Sequence, residues 1–77
     1  MTLDKLPAAN KGVISAVGGE GSLRLRLLGM GLIPGTTVSV EKIAPLGDPI
    51  QIRVRGYELT IRKEDASLIQ LNGGDAK

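Results

Sequence analysis

The chain has 77 residues, enough for one domain, and a domain this small buries only about 60% of its unfolded surface. It contains no cysteine and no histidine, which excludes disulfides, thiolate and imidazole metal sites, and the commonest general base. Ten basic residues against eight acidic ones give a net charge of +2, too mild a bias to identify a partner, and the single aromatic, Tyr57, leaves the core to aliphatic residues. No apolar run approaches the roughly 20 residues that span a bilayer. The longest, residues 23–33, is broken by Arg24 and Arg26. The start carries Asp4 and Pro7 and no apolar signal region, so a cytoplasmic domain is expected, without membrane insertion.

The first β-branched stretch, "KGVISAVGG" at 11–19, predicts a strand with Val13 and Val17 in the core. "GGEG" at 18–21 then reads as a strand-to-helix connection. Residues 22–30, "SLRLRLLGM", alternate like a strand but hold no β-branched residue. Leu and Arg are good helix formers and Ser22 is a good N-cap, so a helix over 22–30 is predicted. At about 100° per residue, Leu23, Leu27 and Met30 form one apolar face, and Leu25 and Leu28 another, nearly opposite. The first set repeats at i, i+4 and i+7 and is expected to pack inward.

"LLGMGLIPG" at 27–35 resembles a phosphate-cradling loop only superficially. A dinucleotide loop follows a strand and opens a helix; here the glycines follow the helix, and Gly29, Gly31 and Gly35 miss the spacing by one. No Lys-Ser or Lys-Thr completes a nucleotide loop either. Gly29 or Gly31 suits the left-handed end of a helix, and Pro34-Gly35 a type II turn. These residues are therefore read as structural.

"TTVSVEKI" at 36–43 puts Val38 and Val40 on one side, Ser39 and Glu41 on the other. "APLGDP" at 44–49, with Gly47, Asp48 and Pro49, is a turn. "PIQIRVRG" at 49–56 faces Ile50, Ile52 and Val54 inward, and Gln51, Arg53 and Arg55 outward. "YELTIR" at 57–62 faces Leu59 and Ile61 inward. Gly56 suits the first central position of a two-residue hairpin turn, which pairs Arg55 with Glu58, Arg53 with Thr60 and Val54 with Leu59. "SLIQL" at 67–71 predicts a last strand, and the polar, Gly-rich 72–77 a disordered tail.

Little of this carries chemistry. The carboxylates Glu20, Glu41, Asp48, Glu58, Glu64 and Asp65 have no metal-ligand spacing, and "KED" at 63–65 lacks the rest of a calcium loop. No serine has a recognisable base nearby, so no enzyme, cofactor or catalytic residue is expected. Arg53, Arg55, Arg62 and Lys42 could form a basic sheet face. Without aromatic stacking platforms, that face reads as solvated surface partly neutralised by Glu58, with no direct nucleic-acid role.

Taken together, "TLDKL", "RLLGMGLIPGTTVSV" and "APLGDPIQIRVRGYELTIRKEDASLIQL" resemble the FeoA family, small cytoplasmic proteins of bacterial ferrous iron transport, over residues 2–71. One departure is "LPAANKG", where family members more often carry glycine after the first Leu. The resemblance implies a mainly β, SH3-like five-stranded barrel over 1–71 with one helix inserted after the first strand. It also implies an accessory role beside FeoB, a membrane transporter with a cytoplasmic G-protein domain. Alternatives are a metal-responsive regulatory domain of the repressor type, weakened because no DNA-binding helices precede the barrel, and a nucleic-acid-binding barrel. A monomer or weak homo-oligomer is expected, with no tight site for ferrous iron. The partner surface is expected at Leu25 and Leu28, flanked by Arg24, or else on the Arg53 and Arg55 sheet face. A rival is that "LDKLP" folds over the two leucines.

Overall fold

The β-branched, alternating stretches form strands and the leucine–arginine stretch forms a helix. In the computed structural model, which describes residues 1–72, β1 (Lys11–Val17), β2 (Thr37–Ile43), β3 (Ile50–Val54), β4 (Tyr57–Ile61) and β5 (Ile69–Leu71) make one antiparallel sheet. The strand order is β4-β3-β2-β1-β5. Helix α1 (Gly21–Gly29) follows β1, as expected, and a short α2 (Lys63–Ala66) joins β4 to β5. β1 pairs with β2 at Lys11, Gly12 and Val13, and with β5 from Ile14 to Val17. Shared in this way, one strand lets the sheet enclose a single small core.

β2 and β3 carry the expected pattern: Val38, Val40, Ile50, Ile52 and Val54 are all buried. In β1 the pattern slips. Val13 is half-buried and Ile14 takes the core position, because a bulge between Ile14 and Ala16 inserts a residue and leaves Ile14 and Val17 facing the same way. Gly12 is buried too, and a Cβ there would meet Leu71 Cδ1 at 3.2 Å. Absence of a side chain is what lets β5 approach.

The β3–β4 hairpin keeps the predicted faces and changes the predicted partners. Val54 pairs with Tyr57, Arg53 with Glu58, Gln51 with Thr60, Ile52 with Leu59 and Ile50 with Ile61. Arg55 and Gly56 are the central turn residues, at φ 53° and 87°. Two positive φ values define the type I′ turn, whose twist matches the strands; Gly56 stands second in it, not first. A two-residue slip leaves every side chain on its face, so both registers satisfy the alternation.

α1 begins at Gly21 with Glu20 before it, so Ser22 lies inside the first turn and is not the N-cap. Glycines on both sides of Glu20 let the chain enter the helix one residue early. At the far end the Gly31 N–H donates to the Leu28 carbonyl (3.0 Å) and the Leu32 N–H to the Leu27 carbonyl (3.3 Å). With Gly31 at φ 97°, this is a Schellman cap, and its usual apolar contact is present as Leu27 and Leu32, both fully buried. Of the two candidate glycines, Gly31 does the work. The Thr36 N–H then closes the Pro34-Gly35 turn on the Ile33 carbonyl at 3.0 Å.

The N-terminal segment is core. Leu3 and Leu6 are 0% and 4% exposed, held by a 3-10 turn (Leu3–Lys5) that packs against α2 and β5. Complete burial of one such leucine contributes roughly 1.5–3 kcal/mol, a large share for a small domain. α2 is too short to show a period in sequence; it buries Ala66 and begins where the Asp65 and Ala66 amides donate to the Arg62 carbonyl. It shortens the expected 67–71 strand to Ile69–Leu71. Of the expected tail, the Asn72 N–H donates to the Val13 carbonyl at 2.9 Å, and 73–77 lie outside the described residues.

Candidate functional site

The orientation of α1 decides which of its apolar residues face solvent. The Schellman cap anchors Leu27 in the core, and Leu23 and Met30 pack partly buried against the same cluster. Leu28 is also half-buried against the core. Leu25 is left 67% exposed at the middle of the helix. The two predicted outer leucines therefore differ: Leu28 serves packing as well as surface, while Leu25 serves surface alone. "LDKLP" does not cover Leu25, which stays exposed, and the 3-10 turn of that segment packs at α2 and β5.

The cations around α1 have tasks of their own. Arg24 Nε–H donates to the Val17 carbonyl at 3.1 Å, tying the helix to the end of β1. Arg26 Nη2 lies 3.6 Å from Asp65 Oδ2, a contact between α1 and α2 in which the aspartate is largely buried. Both leave their charge beside the exposed leucine face without being loose.

The sheet face is less basic than its arginines suggest. Arg53 is exposed but sits between two carboxylates: Nη2 is 2.5 Å from Glu58 Oε2 and Nε is 3.4 Å from Glu41 Oε2. Gln51 Nε2 donates to Glu58 Oε1 at 3.3 Å. The row Glu41–Arg53–Glu58 thus holds more negative than positive charge. The sequence reading set Glu58 opposite Arg55; the observed register sets it opposite Arg53, and the contribution of Glu41 depends on β2 lying beside β3. Arg55 is in a different place. A Cβ built on Gly31 would lie 3.9 Å from Arg55 Cδ, so its stem runs over the exit of α1. The five residues expected to bind a partner are accordingly not one patch. Arg24, Leu25 and Leu28 share α1, Arg55 lies by its exit, and Arg53 is held on the outer sheet face.

Other exposed apolar side chains escaped the sequence reading. Leu46 is 94% exposed at the tip of the 44–49 turn, and Tyr57 is 72% exposed at the hairpin. Beside that turn lies an open depression of about 350 Å³, lined by Lys42, Ile43, Pro45, Pro49, Gln51 and Thr60. A leucine flanked by turn formers was the available signal. The turn itself is fastened by the Lys63 N–H donating to Asp48 Oδ1 at 2.8 Å.

Glycine-rich "LLGMGLIPG" forms the C-terminal end of a helix, where carbonyls and a negative partial charge point outward, the wrong polarity for phosphate. Among the described residues no three acidic side chains come together to hold a metal, and no helix is long and apolar enough to cross a membrane. What the surface offers is apolar contact bordered by ion pairs.

With that geometry in hand, a model of the FeoA domain matches residues 1–72. A fusion protein of Fe(2+) transport protein A with the Fe(2+) transporter FeoB, from Porphyromonas gingivalis, is 39% identical over 71 residues. The match covers 92% of this chain and only 8% of the fusion protein. The solution structure of iron(II) transport protein A from Clostridium thermocellum superposes with a TM-score of 0.88 at 36% identity, over 96% of this chain and 47% of that one. Stenotrophomonas maltophilia FeoA complexed with zinc, described as an SH3 domain protein, superposes at 0.82 with 24% identity, over 94% of this chain and 89% of that one. The fold is thus SH3-like.

Proposed function

Because this chain belongs to the FeoA domain family, which is associated with ferrous iron transport, we propose that it is an accessory protein-interaction module, not an enzyme, docking on the cytoplasmic part of a FeoB-type transporter. The observation that carries the reading is Leu25, a large apolar side chain 67% exposed at the centre of a helix whose other leucines are at least partly buried. An exposed apolar residue bordered by cations is a common centre for a protein contact. Leu28 and Arg24 extend that surface along α1, and Arg55 adds a cation at the helix exit. Arg53 is excluded because it is already held by two carboxylates. Fusion of a similar domain to FeoB in one relative supports FeoB as the partner, since a tether raises the local concentration of domains that work together.

Leu25→Ser tests the proposal. It should leave the fold intact and weaken binding to the transporter about tenfold or more, the usual cost of truncating a central contact residue. Binding of the purified chain to detergent-solubilised transporter measures it, and ferrous iron uptake in complemented cells follows. A folded Leu25→Ser protein that binds as tightly as the parent would refute the assignment.

A further inference from the structure

The two edges of the sheet are treated differently. Outside β5, Thr2 bridges to Gln70, and the Leu71 N–H donates to the Met1 carbonyl at 2.7 Å. β4 is the other edge, and among the described residues no strand pairs with its outer side. The hairpin closes on the Val54–Tyr57 pair. Tyr57, Leu59 and Ile61 therefore turn their backbone groups to β3, while Glu58 and Thr60 turn theirs outward. An open edge of this kind is a template for another strand.

Charge selects the strand it fits. Glu58, Thr60 and Arg62 share one face of the edge and are all exposed. Glu58 belongs to the row in which one arginine serves two carboxylates, whereas Arg62 makes no ion pair among the described residues. The edge thus has an acidic end and a basic end, about 13 Å apart at the rise of a strand. Protein edges are commonly guarded by charge of one sign, above all by Lys, so that two copies repel. This edge reads Glu, Thr, Arg, which is complementary to its own reverse. We propose that two copies of this chain associate through antiparallel pairing of their β4 edges, centred on Thr60, with Glu58 of each copy against Arg62 of the other.

In that register the two Thr60 residues exchange backbone bonds. Each Arg62 N–H donates to the Glu58 carbonyl opposite; the Arg62 carbonyl is already occupied by the Asp65 and Ala66 amides, both at 3.0 Å. On the inner face the half-buried Leu59 of each copy comes beside Ile61 of the other. A five-residue edge buries less than the roughly 1,200 Å² of a stable complex, so a Kd of about 0.1–1 mM is expected. The pairing needs only this chain, so it is measured without a transporter.

Two single variants and their mixture form the test. Glu58→Arg puts arginine against Arg62 of the other copy, and Arg62→Glu puts glutamate against Glu58. Amide spectra of each variant first establish that it is folded. The unaltered protein should show association by sedimentation equilibrium up to about 1 mM, with concentration-dependent amide shifts at Glu58, Thr60 and Arg62. Each variant alone should associate at least about tenfold more weakly. An equimolar mixture should recover association, because both charge pairs are then opposite in sign. Absence of self-association in the unaltered protein at that concentration overturns the proposal. So do variants that associate undiminished, a mixture that does not recover, or edge amides that respond to added FeoB-type cytoplasmic domain and not to protein concentration.

Discussion

Leucine-to-alanine substitution along α1 reads the orientation of the helix directly. Leu and Ala differ little in helix propensity, so each change reports mainly the burial of its side chain. Leu27 is 0% exposed and makes the apolar contact of the Schellman cap with Leu32, also at 0%. Leu27→Ala removes that contact and leaves a cavity, and the range for such changes, about 2–5 kcal/mol, places it near 3 kcal/mol. Leu28 is half-buried against the core, so its truncation should cost about 1–2 kcal/mol. Leu25, at 67% exposure, should stay within about 0.5 kcal/mol of the parent. In a domain of this size 1 kcal/mol moves Tm by about 4–8 °C, so the three variants separate by roughly 12–24 °C, 4–16 °C and under 4 °C. Urea and thermal unfolding followed by circular dichroism give the order. The same order bears on binding, because a Leu25 and Leu28 double variant would confound docking with stability. A cost above about 1 kcal/mol for Leu25→Ala, or below that for Leu27→Ala, would show that the helix is rotated from the orientation described.

The cap makes a second contrast. Gly31→Ala should cost about 1–2 kcal/mol, since the site has room (Val54 Cγ1 at 3.6 Å) but φ is 97°. Gly29→Ala, inside the helix with open space around it, should stabilise by about 0.5–1 kcal/mol; equal effects in urea unfolding would remove the Schellman assignment. On the sheet, Arg53→Ala should cost under about 1 kcal/mol and less at 1 M salt, because both ion pairs are exposed. A salt-independent loss of several kcal/mol would mean the arginine supports the core. Anaerobic calorimetry with ferrous iron should show at most weak, carboxylate-type binding, because the chain lacks imidazole and thiolate. A stoichiometric submicromolar site would contradict that expectation.

Local chemistry was enough for much of this molecule. Alternation in 36–43 and 50–54 determined which valines and isoleucines of β2 and β3 face inward, because a strand has period two whatever surrounds it. Absence of β-branched residues in 22–30 identified the helix, and the glycines and Pro34 located its exit and the following turn. The motifs quoted for the FeoA family sufficed for the family itself.

Other features required the neighbours. A bulge moved the core position from Val13 to Ile14, and bulges answer to the strands alongside, β2 and β5. The hairpin register was undetermined by alternation, since a slip of two residues changes partners without changing faces. Leu3, Leu6 and Leu32 lie outside any periodic stretch, and only the closed packing of the sheet with α1, α2 and the first residues makes them core. Arg53 was read opposite Thr60; the observed register brings Glu58 opposite it, and β2 brings Glu41 beside it. Leu25 and Leu28 were equivalent on a helical wheel, and the rotation of α1 about its capped end separated them. Period and turn chemistry act within a few residues along the chain, whereas burial and charge pairing depend on which distant residues meet.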